Sequence, residues 1–173
     1  MLKYKGICYL LLTMFVILLS GCNSEGKFVQ ATYFLPLQGE SQTWSLTGYE
    51  IMITPDDFKA GNGILKMKTE EESLADFYQN ATHVVINGKD TKVHGNIVTY
   101  SSPKADDGMD IREMPTGAIA GPNYINANGD PISLKEIDAI YMVVEWRDVS
   151  TGEYSKEKIE LYVKSDKENT FLK

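Results

Sequence analysis

Alternation of apolar and polar positions runs through the chain after residue 27 and predicts a mainly β protein. The clearest run is 140–146, in which Ile140, Met142, Val144 and Trp146 fall on one face. A turn containing Gly152 follows it, and a second alternating run occupies 158–164. Period-two patterns on both sides of a glycine-bearing turn predict an antiparallel hairpin, with Trp146 directed into the core.

Shorter alternating runs predict five more strands, at 28–34, 43–53, 63–68, 83–87 and 96–101. In the second of these, the apolar positions change from even to odd numbers across Thr47-Gly48, which predicts a β-bulge at Gly48. Asn87-Gly88 is typical of a type I′ turn and predicts that 83–87 pairs with the segment that comes after it.

Two segments predict short helices. Ser133 and Glu136 have the spacing of a capping box, which predicts one or two helical turns just before the hairpin. The stretch 69–72 repeats that form, and Leu74, Phe77 and Tyr78 come after it at helical spacing. Together these elements predict an immunoglobulin-like antiparallel β-sandwich with one or two short helices. The alternative is a calycin-like β-barrel that encloses a ligand cavity.

The first residues have a different pattern. Lys3 and Lys5 precede an apolar run of about fourteen residues, which is shorter than the roughly twenty that cross a bilayer as a helix. A basic start, an apolar run and the small residues Ser20 and Gly21 are typical of a secretory signal peptide. The pattern predicts a signal peptide at 1–21, with cleavage between Gly21 and Cys22.

Leu19-Ser20-Gly21-Cys22 resembles the lipobox of bacterial lipoprotein precursors. That resemblance implies that the Cys22 thiol carries a diacylglyceryl group and that Cys22 becomes the N-terminal residue, often acylated on its amine too. It implies a lipid anchor on the extracytoplasmic face of the cell membrane, since two or more acyl chains bind a bilayer stably. The segments 39–44, 49–51, 63–65, 144–146 and 157–161 are similar to those of small lipoproteins of Bacillus-type bacteria, many of unassigned function.

Cleavage after residue 21 would leave 152 of the 173 residues, with 22–27 as a polar tether and 28–173 as a single domain. Losing Lys3 and Lys5 changes the formal charge from −7 to −9. So acidic a chain argues against nucleic acid as a partner and against a polybasic contact with lipid, so the N-terminal lipid is the predicted membrane contact. Because Cys8 leaves with the signal peptide, Cys22 is the only cysteine left and no internal disulfide is expected.

Candidate chemistry is sparse. His83 and His94 lie eleven positions apart and would need a carboxylate such as Asp90 or Asp106 to form a metal or general-base site, so ordinary surface or half-buried histidines are the favoured interpretation.

The acidic loop that contains Asp106, Asp107 and Asp110, with Glu113 beyond it, is a candidate calcium site. The favoured interpretation is a solvated turn, because Asp is common in turns. The asparagine-rich stretch 126–130 does not fit an EF-hand and is also predicted to be a turn.

No Gly-x-Ser-x-Gly or phosphate-binding glycine loop is present in the sequence. We therefore expect a non-enzymatic binding or envelope-interaction module, without a cofactor, whose protein or small-ligand partner the sequence does not identify. A calycin-like carrier of a small apolar ligand and an envelope hydrolase are the alternatives.

Overall fold

The computed structural model describes residues 32–102 and 107–163. Several predicted features lie outside the described residues: the signal peptide 1–21 with its cleavage site at Gly21, the predicted lipidation site Cys22, the tether 22–27 and the calcium candidate Asp106. In the described ranges, no helix has the length and apolar character that crossing a membrane requires.

The described residues form a mainly β structure. Its strands are β1 Tyr33–Glu40, β2 Trp44–Ile53, β3 Asp57–Gly61, β4 Ile64–Met67, β5 Leu74–Ile86, β6 Lys89–Thr99, β7 Met109–Asp110, β8 Glu113–Pro115, β9 Ala118–Pro122, β10 Ile137–Asp148, β11 Tyr154–Glu160 and β12 Tyr162–Val163.

The strands form two antiparallel sheets that do not close into a barrel. The seven-stranded sheet has the order β12-β1-β2-β3-β9, with β4 paired to β2 and β8 paired to β4. The five-stranded sheet has the order β11-β10-β5-β6, with β7 paired to β5. This arrangement confirms the predicted antiparallel β-sandwich, and the alternative of a calycin-like barrel is wrong.

The predicted C-terminal hairpin is confirmed as β10 and β11, with Met142 opposite Ile159 and Trp146 opposite Ser155. The second strand is shorter than its pattern predicted. It ends at Glu160, and the chain then crosses to the other sheet, where Val163 of β12 pairs with Leu37 of β1. The short segment from β11 to β12 therefore connects one sheet to the other.

Both local backbone predictions are confirmed. Between the pairs Leu37–Tyr49 and Gly39–Leu46, β2 uses one residue more than β1, and Gly48 there has a φ of 67°. This bulge lets both phases of β2 face the core. Asn87 and Gly88 have φ values of 49° and 76°, the left-handed conformation of a type I′ turn, and they join β5 to β6.

One of the two predicted helices is present. Ser133 caps a single 3₁₀ turn at Leu134–Glu136, and its backbone N–H donates to the Glu136 carboxylate at 2.9 Å. The helix predicted after 69–72 is wrong, because Leu74–Ile86 is the central strand β5, paired with β10 on one side and β6 on the other. Long-range pairing on both edges outweighs a local helical spacing of three side chains.

Strand limits also differ from the predicted ones. Of the strand predicted at 28–34, residues 28–31 lie outside the described residues, and its end overlaps β1; the strand predicted at 96–101 overlaps the last part of β6. Pro36 interrupts the strand signal in β1, as Gly95 does in β6, because both residue types are rare in strand interiors.

The core lies between the sheets and is dominated by aromatic and branched side chains. Trp44 of the seven-stranded sheet is fully buried and packs edge-on against Trp146 of the five-stranded sheet, with ring centroids 5.5 Å apart. Tyr78 completes the group at 6.0 Å from Trp44. The prediction that Trp146 belongs to the core is confirmed, and aromatic pairs of this geometry add stability beyond the area they bury.

Candidate functional site

A groove crosses the outer face of the five-stranded sheet, at right angles to its strands. The register places Gly95 of β6 opposite Ala81 of β5, and Ala81 opposite Val143 of β10. Ala81 and Val143 form the floor between two rows of larger side chains, and Gly95 stands at the end of their row on the edge strand β6. The groove has a volume of about 550 Å³. Its lining residues include Gln79, Ala81, His83, Lys92, Tyr141, Val143, Glu145, Lys156 and Lys158.

Lys92 lines one end of this groove, and its side chain extends along β6 over Gly95. A Cβ atom at Gly95 would lie 2.7 Å from Cε and 3.0 Å from Nζ of Lys92. Glycine at this position is thus what allows the lysine to lie across the strand. Within the described ranges, Lys92 has no carboxylate within ion-pair distance, and its ammonium group is the unmatched cation of the groove.

One wall of the groove is a row of aromatic and titratable side chains. His83 stacks on Tyr141, with ring centroids 5.0 Å apart and planes 10° from parallel. The Nδ1–H of His83 donates to the Asp90 carboxylate at 3.1 and 3.2 Å, and the Tyr141 hydroxyl donates to the same carboxylate at 3.0 Å. The ammonium group of Lys158 also lies over the Tyr141 ring, with Nζ 4.1 Å from the ring centroid. Asp90 therefore holds two side chains of this wall in fixed orientations.

The opposite wall is centred on Glu145. Its carboxylate lies 2.8 Å from the ammonium group of Lys156 and accepts a hydrogen bond from the Tyr154 hydroxyl. These two donors, the lysine first, lower the pKa of Glu145, and the positive charge of Lys92 contributes to the same shift. Glu145 is thus held ionised and already has a cationic partner. Lys158 has a partner too, since its ammonium group lies 2.6 Å from the carboxylate of Glu160.

The structure separates the two histidines. His83 lies on the outer face with Asp90, one of the carboxylates considered for it, whereas His94 points into the sandwich and is 6% exposed. The Tyr49 hydroxyl and His94 Nδ1 lie 2.9 Å apart and share a hydrogen bond. Burial of the ring, followed by the charge of Lys92, lowers the pKa of His94. The two histidines therefore contribute to no common site.

The described carboxylates of the acidic loop each have a separate partner. Asp107 accepts hydrogen bonds from the hydroxyls of Tyr100 and Ser102, at 3.1 and 2.8 Å. Asp110 pairs with Arg112, whose hydrogen bonds lower the pKa of the carboxyl to about 2. The carboxylate beyond them, Glu113, pairs with Lys66 at 2.9 Å. In residues 32–102 and 107–163, no three His, Cys, Asp or Glu side chains come together as metal ligands would.

The stretch 126–130 forms the predicted turn. The Asn126 side-chain oxygen accepts from the backbone N–H groups of Asn128 and Asp130, at 2.9 and 3.1 Å, and Gly129 has a φ of 85°. This oxygen is engaged by its own turn, as is typical of asparagine in tight loops.

Sequence reasoning identified His83 and Asp90 but missed the rest of the groove. Lys92, Val143 and Lys156 line one groove only through the register of four strands, β6, β5, β10 and β11, which no local pattern encodes. One local signal was present: Gly95 sits inside a strand, where glycine marks a close approach of another group.

Comparisons of the chain with protein families, curated proteins and solved structures give no match. The described residues define the class of structure, an antiparallel β-sandwich with a polar groove on one outer face.

Proposed function

We propose that this protein is a lipid-anchored, non-enzymatic binding module of the extracytoplasmic membrane face, and that the groove on the five-stranded sheet is its binding site. The anchor is supported by the resemblance of Leu19-Ser20-Gly21-Cys22 to a lipobox. The binding role is supported by the groove itself, since a concave site with a few fixed polar groups is the usual form of a ligand site.

The fixed orientation of the side chains in the walls is the single observation that carries the binding role. His83, Tyr141 and Glu145 are each held by a neighbouring hydrogen bond or ion pair, so the groove keeps its shape without a ligand. A ligand that enters a preorganised groove does not have to order these side chains, which lowers the free-energy cost of binding.

Two experiments test the proposal. For the anchor, cells are labelled with a fatty acid. We expect label on the wild-type chain and none on Cys22→Ser, and an unlabelled wild-type chain would contradict the anchor. For the groove, a photo-crosslinking amino acid replaces Val143 on the floor or, as the control, exposed Thr47 on the other sheet. In intact cells we expect an adduct at position 143 that position 47 does not give, and equal patterns would contradict the groove as the binding site.

An envelope hydrolase is the second candidate, and the pair His83–Asp90 is the observation that favours it. A carboxylate that holds Nδ1 leaves Nε2 as the basic nitrogen of the ring, as in a general base. No hydroxyl or thiol hydrogen-bonds to His83 in the described part of the chain. Hydrolysis of p-nitrophenyl esters that disappears in His83→Gln would favour this candidate over a binding module.

A further inference from the structure

We infer that the groove binds a ligand through one anionic group, a carboxylate or a phosphate, and that Lys92 is the residue that holds it. This inference rests on the proposed function, because it names the ligand chemistry of the same groove. The charges that line the groove support it. Lys156 is matched by Glu145, and Lys158 by Glu160. The Nδ1–H of His83 donates to the Asp90 carboxylate, and the Glu157 carboxylate, which also lines the groove, accepts hydrogen bonds from Thr43. Lys92 is left as the cation without an ion pair among the described residues.

The position of Lys92 is what makes this charge relevant to a ligand. Its side chain lies over Gly95 on the edge strand β6, at one end of the groove, and Ala81 and Val143 continue the floor from there. An ammonium group donates three hydrogen bonds and accepts none, so it favours an oxygen-rich anion. Hydrogen bonds between ions are about twice as strong as neutral ones.

The walls restrict the ligand to a single anionic group. The carboxylate of Glu145 belongs to one wall, and the carboxylate of Asp90 accepts hydrogen bonds from His83 and Tyr141 of the other wall. A second anionic group that reached past Lys92 toward either wall would meet a like charge. Hydroxyl groups suit the walls better, since Gln79 and Tyr141 offer neutral polar groups.

Three sugars that differ only at carbon 6 provide matched probes: glucose, glucuronate and glucose 6-phosphate. The full chain is used in a nonionic detergent, and affinities are measured by saturation-transfer NMR. We expect at least one of the two anionic sugars to bind about tenfold more tightly than glucose, or more. A charge-assisted hydrogen bond supplies a gain in affinity of this size. The stronger of the two identifies a carboxylate or a phosphate as the natural group.

Two variants assign the effect to Lys92. Lys92→Gln removes the charge and is expected to weaken binding of the anionic sugar about tenfold. Gly95→Ala keeps the charge but places a methyl group where the lysine lies, so it is expected to cause a similar loss. The end of the lysine side chain is flexible and moves away, while the carbonyl of Asn80, 3.2 Å from the new atom, shifts slightly. An unchanged unfolding midpoint shows that the fold is intact.

The control is Lys59→Gln, which removes the same charge from the outer face of the seven-stranded sheet. It is expected to leave the affinity unchanged. The inference is overturned if this variant weakens binding as much as Lys92→Gln, or if neither anionic sugar binds more tightly than glucose. In that case, glucose binding or cellular crosslinking that still requires the groove would leave the proposed function in place. Only the ligand chemistry would then be wrong.

Discussion

The two faces of the five-stranded sheet carry the same types of polar residue in opposite circumstances. On the inner face, His94 bonds to Tyr49 and is sealed between the sheets. On the outer face, His83 bonds to Asp90, stacks on Tyr141 and borders an open groove. The two histidines come from the neighbouring strands β5 and β6. A β-bulge between the pairs Thr82–His94 and His83–Lys92 shifts the register of β6 between them.

The comparison shows what a polar residue does for this protein on each side. Inside, a polar group stabilises the fold only while it has a partner, because an unpaired buried group costs free energy. Outside, the same group is free to contact another molecule. Substitutions should therefore act on stability when they fall on the inner face and on binding when they fall on the outer face.

The largest difference is expected for two adjacent aromatic residues of β5. Tyr78→Ala should lower the free energy of unfolding by about 3–5 kcal/mol, because it leaves a cavity in a fully buried site. Phe77→Ala should cost much less, since Phe77 is half-buried on the outer face and stacks on exposed Tyr154. Urea unfolding of both variants measures the difference. Equal losses of unfolding free energy in the two variants would show that the outer face contributes to stability as much as the core does.

A smaller effect is expected at the turn that joins β5 to β6. Gly88→Ala should cost about 1–2 kcal/mol, because Gly88 has a φ of 76° and an L-residue resists that conformation. Gly121→Ala is the matched control: a Cβ atom there also meets nothing within 4 Å, but the backbone lies outside the left-handed region. If both variants unfold alike, the turn does not determine the register that separates the two faces.

The parts of the fold that local patterns predicted are those where a few consecutive residues decide the structure. The β10–β11 hairpin, the bulge at Gly48 and the Asn87-Gly88 turn are of this kind. The segment 69–78 shows the opposite case. Its capping-box pattern forms only a turn, in which the Glu71 N–H donates to the Thr69 hydroxyl at 3.2 Å. The chain beyond this turn is a strand, because pairing with β10 and β6 decides its structure.

The groove could not be predicted from local pattern for the same reason. Lys92 and Val143 are far apart in the chain. They line the same groove only because β5 pairs with both β6 and β10 in this sheet. The tertiary register also decides which of the two histidines is buried, since a shift by one residue exchanges the faces of a strand.

The smallest effect concerns pH. Because the pKa of His94 is lowered in the folded protein from its ordinary value of 6.5, the unfolded chain binds a proton more readily. Stability from this histidine is fully present above about pH 6.5 and decreases as the pH falls below that value. We expect the thermal midpoint to fall between pH 7 and pH 5 in the wild type and in His83→Gln. In His94→Gln this fall should be reduced, and an unreduced fall would assign it to other groups.

Ring signals of the two histidines test the central claim most directly, because the chain contains only His83 and His94. Glucuronate or glucose 6-phosphate is added to the full chain, and the imidazole resonances are followed by NMR at constant pH. We predict that the signals of His83 shift in a saturable way while those of His94 stay in place. A shift of His94 alone or equal shifts of both would contradict a binding site on the outer face, and the absence of any shift would contradict an anionic sugar as the ligand.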